Sequence, residues 1–271
     1  MKLLKNKYLI LRRFVQISIL LLFFGGNYWG WQILIGNFST ALLFDSVPLS
    51  DPYAVLQILA SGFIVGVDLL IGGLIVFVVY GLLAGRMFCA WVCPMNIVAD
   101  FAIWLNQRLK ITTNLKLNRK TRYGVLVLGL VLSPILGFAA FEAISPVAML
   151  HRSIIFGVGA SWQVILAIFF FDIAVTKYGW CGHLCPLGAF YSTIGRFSII
   201  KVNHNADNCT NCMKCFKVCH EVQVLDIIGK HNGFINSGEC TNCARCIEVC
   251  EDDALTFSIR NLFVNNTKKQ G

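Results

Sequence analysis

Hydrophobic positions fall into four long blocks, near 14–35, 56–84, 123–143 and 160–179, with few charges inside them. A helix rises 1.5 Å per residue, so about 20 residues cross a hydrocarbon core about 30 Å thick. Each block reaches that length. Lipid offers no water to satisfy backbone amides, so the blocks predict four membrane-spanning helices. The first block follows Lys2, Lys5, Lys7, Arg12 and Arg13. It exceeds a signal-peptide core and lacks a small-residue cleavage site, which predicts an uncleaved first helix. Residues 100–122 start amphipathic and become basic, a pattern for lying along the inner surface against anionic headgroups.

Composition supports this pattern. The chain of 271 residues is 56% apolar and 14% charged, with a mean hydropathy of +0.67. Soluble domains carry roughly 25% charged residues. Lys and Arg cluster before the first block and between Arg86 and Arg122. None lies between the first two blocks, and only Arg152 lies between the last two. The positive-inside rule then puts both termini in the cytoplasm, in a multi-pass protein of the inner (cytoplasmic) membrane. The net charge of +9 arises in residues 1–198, beside helix ends, while 199–271 is neutral. That distribution fits lipid and topology and argues against nucleic acid.

The twelve cysteines all fall in four motifs. Residues 209–219 read CTNCMKCFKVC and 240–250 read CTNCARCIEVC, both C-x2-C-x2-C-x3-C, the run that holds 4Fe–4S clusters in bacterial ferredoxins. In such a run the fourth cysteine serves the other cluster. Cys209, Cys212, Cys215 and Cys250 would hold one, and Cys240, Cys243, Cys246 and Cys219 the second. Disulfides are disfavoured in a reducing cytoplasm, and zinc prefers paired cysteines with longer spacers. The usual proline after the fourth cysteine is replaced by His220 and Glu251.

Two shorter motifs, FCAWVCP at 88–94 and WCGHLCP at 180–186, follow the second and fourth blocks. Each supplies two thiolates, too few for a cubane. Their matching places predict a parallel internal repeat, about 1–110 and 111–198, packed about an axis along the membrane normal. Such packing brings Cys89, Cys93, Cys181 and Cys185 together at the cytoplasmic surface. They would serve as an additional metal centre or cluster, as redox dithiols, as a copper site, or as simple helix caps.

The expected fold is therefore an all-α polytopic membrane domain over 1–198, with four transmembrane helices. A small α+β, bacterial 2×4Fe–4S ferredoxin-like domain covers 199–260, and a tail covers 261–271. Its chemistry is single-electron transfer, and quinone is the redox partner that dissolves in the bilayer. Quinol oxidation releases two protons, which makes the carboxylates Asp172, Glu142 and Asp68 candidate acceptors. Counting along the helices puts Asp68 and Glu142 near the periplasmic interface and Asp172 in the cytoplasmic half. His151 reads as a solvated loop residue, and Trp29, Trp31 and Trp162 as an aromatic belt.

Four helices, FCAWVCP, WCGHLCP, CTNCMKCFKVC and CTNCARCIEVC together resemble the NapH family, over essentially the whole chain. That resemblance implies a membrane iron–sulfur component of a quinol dehydrogenase that oxidises menaquinol or ubiquinol. It also implies two 4Fe–4S clusters, a periplasmic iron–sulfur partner of the NapG type, and nitrate reductase downstream. The wider superfamily includes copper reductases for oxidase assembly, which gives the alternative of a membrane metal reductase.

Overall fold

A computed structural model of the chain describes residues 6–111, 117–157 and 161–260. The expected tail 261–271 lies outside the described residues. The chain opens with α1 (Lys7–Tyr28), which closes on Gly25 O through the backbone of Trp29. Strands β1 (Leu34–Gly36), β2 (Thr40–Leu43) and β3 (Val47–Ser50) then form an antiparallel sheet, with Ile35 opposite Leu42 and Ala41 opposite Leu49. Asp51 caps α2 (Pro52–Ala60), accepting the Tyr53 N–H at 3.1 Å, with Pro52 preset for the first turn. Then come α3 (Val67–Val78), prolonged by a π-helical turn at Val79–Ala84, α4 (Met87–Trp91) and α5 (Met95–Leu109). The second half holds α6 (Thr121–Leu136), α7 (Ala140–Ile144), α8 (Pro146–Phe156) and α9 (Ser161–Ala174). A second π-helical turn at Trp180–Leu184 leads into α10 (Pro186–Ile194).

Among the described residues, α1 is the one helix both long and apolar enough to cross a membrane. The other apolar helices, Val67–Leu83, Thr121–Leu136 and Ser161–Ala174, fall short of that length. All four expected blocks are thus displaced or cut. The first starts earlier, taking Arg12 and Arg13 into the helix, and stops at Tyr28 before Gly30 (φ +69°). The second is split into α2 and α3 around Gly62 (φ +81°). The third ends at Gly137 (φ +72°), and the fourth at Ala174. Left-handed glycines stand at the breaks of the first three, where apolar content gives no sign of them, while the fourth ends ahead of Tyr178 (φ 54°).

The sheet β1-β2-β3 is a second correction, because an all-α helical part was expected. It does not stand clear of the helices: β3 packs along α3, where a Cβ on Gly72 would lie 2.8 Å from Ser50 Oγ. Backbone pairing within the sheet satisfies amides that lipid could not. Behind it lies a core rich in aromatic rings, with Tyr53, Phe88, Phe141, Phe190 and Tyr191 among its buried members. The two halves meet closely at Gly85 and Gly195. A Cβ on Gly195 would stand 2.7 Å from the Gly85 Cα, so neither position has room for a side chain.

The last part is small and α+β. Strand β4 (Ile200–His204) is central in the order β5-β4-β6, between β5 (Gly233–Phe234) and β6 (Leu255–Ile259), all antiparallel. Helices α11 (Lys214–Val218) and α12 (Arg245–Val249) pack on each other. Val202, Val224, Leu225, Ile235 and Leu255 form the core, joined by Cys215 and Cys246.

Candidate metal centres and the adjoining pocket

The two cysteine runs fold alike. In each, the asparagine two residues past the first cysteine and the residue after the second are left-handed. These are Asn211 and Met213 (φ 55° and 56°), and Asn242 and Ala244 (φ 49° and 62°). Asparagine tolerates this region well, and the double reversal curls the loop so that three thiols turn inward. The helix that follows, α11 or α12, carries the third cysteine and delivers the fourth at its end. Cys209, Cys212, Cys215 and Cys250 line one small cavity. Cys219, Cys240, Cys243 and Cys246 line another.

A third small cavity is lined by Cys89, Cys93, Cys181 and Cys185, drawn from both halves of the helical part. Cys89 lies on α4, Cys93 just before α5, Cys181 in the second π-helical turn, and Cys185 caps α10. All twelve cysteines are free thiols. Among the described residues, no three His, Cys, Asp or Glu side chains converge as a single ion requires. Each set of four stands around a volume instead, the arrangement a four-iron cubane takes with one thiolate per iron. The thiols resist ionisation on their own. Burial, then nearby negative charge, pushes Cys185 up to about 11 and Cys219 up to about 12, and Cys93 and Cys181 well above the ordinary thiol range. Cationic iron removes that penalty, so the donor set fits the group.

Two of the thiol cavities adjoin. His220 and Thr241 line both the Cys219 cavity and the Cys89 cavity, so a single layer of side chains separates them. Burial holds His220 down to about 3, so it is neutral, and its ring packs on Tyr178 at 4.7 Å. Next to it, Glu221 ties the α+β part to the helix ends. Its carboxylate, 2% exposed, takes Arg86, Arg119 and Arg122, the Arg122 contact being 2.8 Å. Burial alone would raise Glu221, but these guanidinium groups, Arg86 foremost, hold it well below the usual range. Arg86 also donates to Cys181 O at 2.8 Å, and Trp91 donates to Asn242 O at 3.0 Å. Asp100 adds a second clamp by pairing with Arg13 and Arg245.

On its far side the Cys89 cavity shares Phe88, Val147 and Leu187 with a pocket of about 350 Å³ between the sheet and the helices. Its walls are mainly apolar, from Phe23, Leu34, Phe38 and Val76 among others. Two carboxylates enter it, Asp51 and Glu142. Burial raises Asp51 to about 7 against the pull of the Tyr53 N–H, and the Glu142 charge adds to the rise. Glu142 takes a hydrogen bond from Ser39 and lies 3.6 Å from Arg152.

Of the three expected carboxylates, only Glu142 lines this pocket. Asp172 is 1% exposed and accepts the Trp180 N–H at 3.0 Å, so it caps the second π-helical turn. Asp68 sits exposed in the first turn of α3. His151 is buried between Phe23 and Phe38 rather than solvated. Sequence reasoning missed Asp51, whose only signal was the Asp-Pro helix start, and Glu221. It registered His220 only as a departure from proline.

A family model described as a 4Fe-4S binding domain matches residues 65–112 and again 156–203, covering each C-x3-C-P motif in turn. A 4Fe-4S dicluster domain model matches residues 201–251. The chain is 45% identical over 221 residues to the ferredoxin-type protein NapH of Haemophilus influenzae, covering 81% of this chain and 77% of that one. It is 43% identical to the ferredoxin-type protein NapH of Escherichia coli, with the same coverage. Identity to the methylamine utilization ferredoxin-type protein MauN of Methylorubrum extorquens is 42%, again over 81% and 77%. No solved structure matches the chain.

Proposed function

Because the chain belongs to the NapH-like family of ferredoxin-type proteins, we propose that it is the membrane electron-transfer subunit of a quinol dehydrogenase. Quinol is oxidised in the pocket beside Asp51 and Glu142. Cys89, Cys93, Cys181 and Cys185 would hold one redox group and the two tail sets the other two, which would take up its electrons one at a time. The observation that carries this reading is the run of three cavities with shared walls, pocket, Cys89 set and Cys219 set, with the Cys209 set in the same tail core as the last of them. Tunnelling falls off exponentially with distance, so a donor site one side-chain layer from the first thiol set supports transfer into the run.

The chemistry balances. A quinol gives up two protons and two electrons and leaves as quinone. Asp51, poised near neutrality, takes the first proton, and Glu142, oriented by Ser39, takes the second. Phe88, Val147 and Leu187 keep water from the path between pocket and thiols. When bound, the 4Fe–4S groups supply one-electron storage. The residues around them set their spacing through Arg86, Glu221 and Trp91. The membrane anchor is α1, long enough to span, together with the shorter apolar helices α3, α6 and α9, with both termini cytoplasmic.

The partners that go with this reading are the quinone pool, a NapG-type iron–sulfur protein and nitrate reductase. A periplasmic acceptor lies across the bilayer from the tail, so the reading requires a further carrier between them. The near-equal identity to MauN leaves the conduit unchanged and makes the terminal acceptor a property of the partner. The test is anaerobic mixing of the purified holoprotein with a menaquinol analogue, followed by EPR. Signals from reduced clusters that vanish in Asp51→Asn support the proposal. Clusters that ignore quinol in the wild type, while the Cys89 set reduces Cu(II), would replace it with the metal-reductase alternative.

A further inference from the structure

Arg12 stands on α1 with no exposed surface, yet none of its three side-chain nitrogens has a hydrogen-bond partner. A guanidinium presents five donors and stays charged, so burying it unmet is costly and calls for an anion. The carboxylate that acts on it, Asp100, is already held by Arg13 and Arg245 and receives the Tyr178 hydroxyl at 3.3 Å. Arg12 lines a cavity of about 710 Å³ where α1 and α5 meet the α+β part. Six basic residues line it, Arg12, Arg13, Lys177, Lys217, Arg119 and Arg245, against the acids Asp100 and Glu248. Leu9, Ile103 and Trp104 supply an apolar wall, and Trp104 is 51% exposed on the helix flank.

We infer that this cavity is a binding site for a phosphate-bearing anion, with Arg12 at its base. The chemistry is that of a phosphodiester headgroup. On the topology proposed above, with both termini cytoplasmic, the cavity faces the inner membrane surface, where anionic phospholipid is concentrated. The apolar wall of Leu9, Ile103 and Trp104 suits the start of an acyl chain. Arg12 grips the phosphate oxygens while Arg13 stays on Asp100, and Lys177 and Lys217, both exposed, draw the anion in. A bound headgroup would bridge α1, α5 and the α+β part. Cys219, His220 and Arg245 line both this cavity and the neighbouring thiol cavity, so the headgroup would also lie beside that set.

The test is lipid binding by the cluster-loaded full-length protein, read by native mass spectrometry and thermal shift, independently of quinol turnover. The probes are short-chain phosphatidylglycerol, short-chain phosphatidylcholine and inorganic phosphate. Phosphatidylglycerol binds and stabilises the wild type, and Arg12→Leu weakens it about tenfold or more. Should Arg12→Leu not fold, the exposed pair Lys177→Gln and Lys217→Gln provides the second arm, with binding weakened severalfold. Inorganic phosphate binding as tightly as the lipid keeps the anion site and removes the lipid as its source. Equal response to phosphatidylcholine would overturn the inference. So would unchanged lipid binding in Arg12→Leu accompanied by a shifted cluster potential, which would make Arg12 a counter-charge to the thiol set alone.

Discussion

Glu221→Gln isolates the contact that holds the cluster-bearing tail against the helix ends. The substitution keeps shape and removes one negative charge from among three guanidinium groups. Arg86 is 1% exposed and Arg122 is 0% exposed, whereas Arg119 keeps 29%. Breaking a buried pair from one side costs about 3–5 kcal/mol, because the remaining charge is stranded. Arg119 adds about 1 kcal/mol at most, since water screens it. Arg122 retains Glu239, which is why the two buried losses do not simply double. Arg86 is left with backbone carbonyls, Glu239 O at 3.2 Å and Cys181 O at 2.8 Å. A loss of 3–5 kcal/mol is a large share of a typical stability of about 5–15 kcal/mol. It falls on the interface, not on the β5-β4-β6 core. Hydrogen exchange of the holoprotein should therefore accelerate about 100- to 4,000-fold at residues 219–223 and 239–246. Residues 255–259 should change far less. An acceleration under about tenfold, or an equal effect from Arg119→Gln, would refute the claim that buried charge holds this interface.

Iron and sulfide counting tests the four-thiol set in the helical part. With three cubanes the holoprotein carries about 12 Fe, and Cys181→Ser drops it to about 8 while the tail signals persist. A wild type with about 8 Fe would leave the Cys89 set to thiol chemistry. Quinol oxidation should rise with pH through an apparent value near 7, because Asp51 accepts a proton only once it has lost its own. Its folded value lies above the ordinary 3.8, so its contribution to stability runs the other way and is lost as pH rises through 7. Asp51→Asn should lower the rate about 100-fold or more and flatten the profile; a profile unchanged in that variant would remove Asp51 from the chemistry. Gly195→Ala places a Cβ 2.7 Å from the Gly85 Cα and should cost about 1–3 kcal/mol in thermal stability, more than Gly124→Ala, whose Cβ meets nothing.

Much of this protein could be read from residue order because its signals are local. A C-x2-C-x2-C-x3-C run sets three thiols within one curled loop, so CTNCMKCFKVC and CTNCARCIEVC announce a 4Fe–4S domain without further context. The two C-x3-C-P motifs identify the family for the same reason, and the Asn in each CTNC is suited to its left-handed turn. Helix ends were less legible. An apolar block does not reveal that Gly62 or Gly137 turns left-handed inside it, and a strand such as Leu34–Gly36 disappears into the hydrophobic run before it.

Only the tertiary structure decided what depends on long-range distance. It put Asp51 and Glu142 into one pocket although 91 positions separate them in the chain. It placed Asp172 outside that pocket, with one carboxylate oxygen on the Trp180 amide. It made Glu221 the anchor for Arg86 and Arg122, and His220 a wall between two thiol sets. Spacing along a chain fixes chemistry within a loop or a helical turn. Burial, charge pairing and the order of cavities arise when distant segments pack, and there the fold decides.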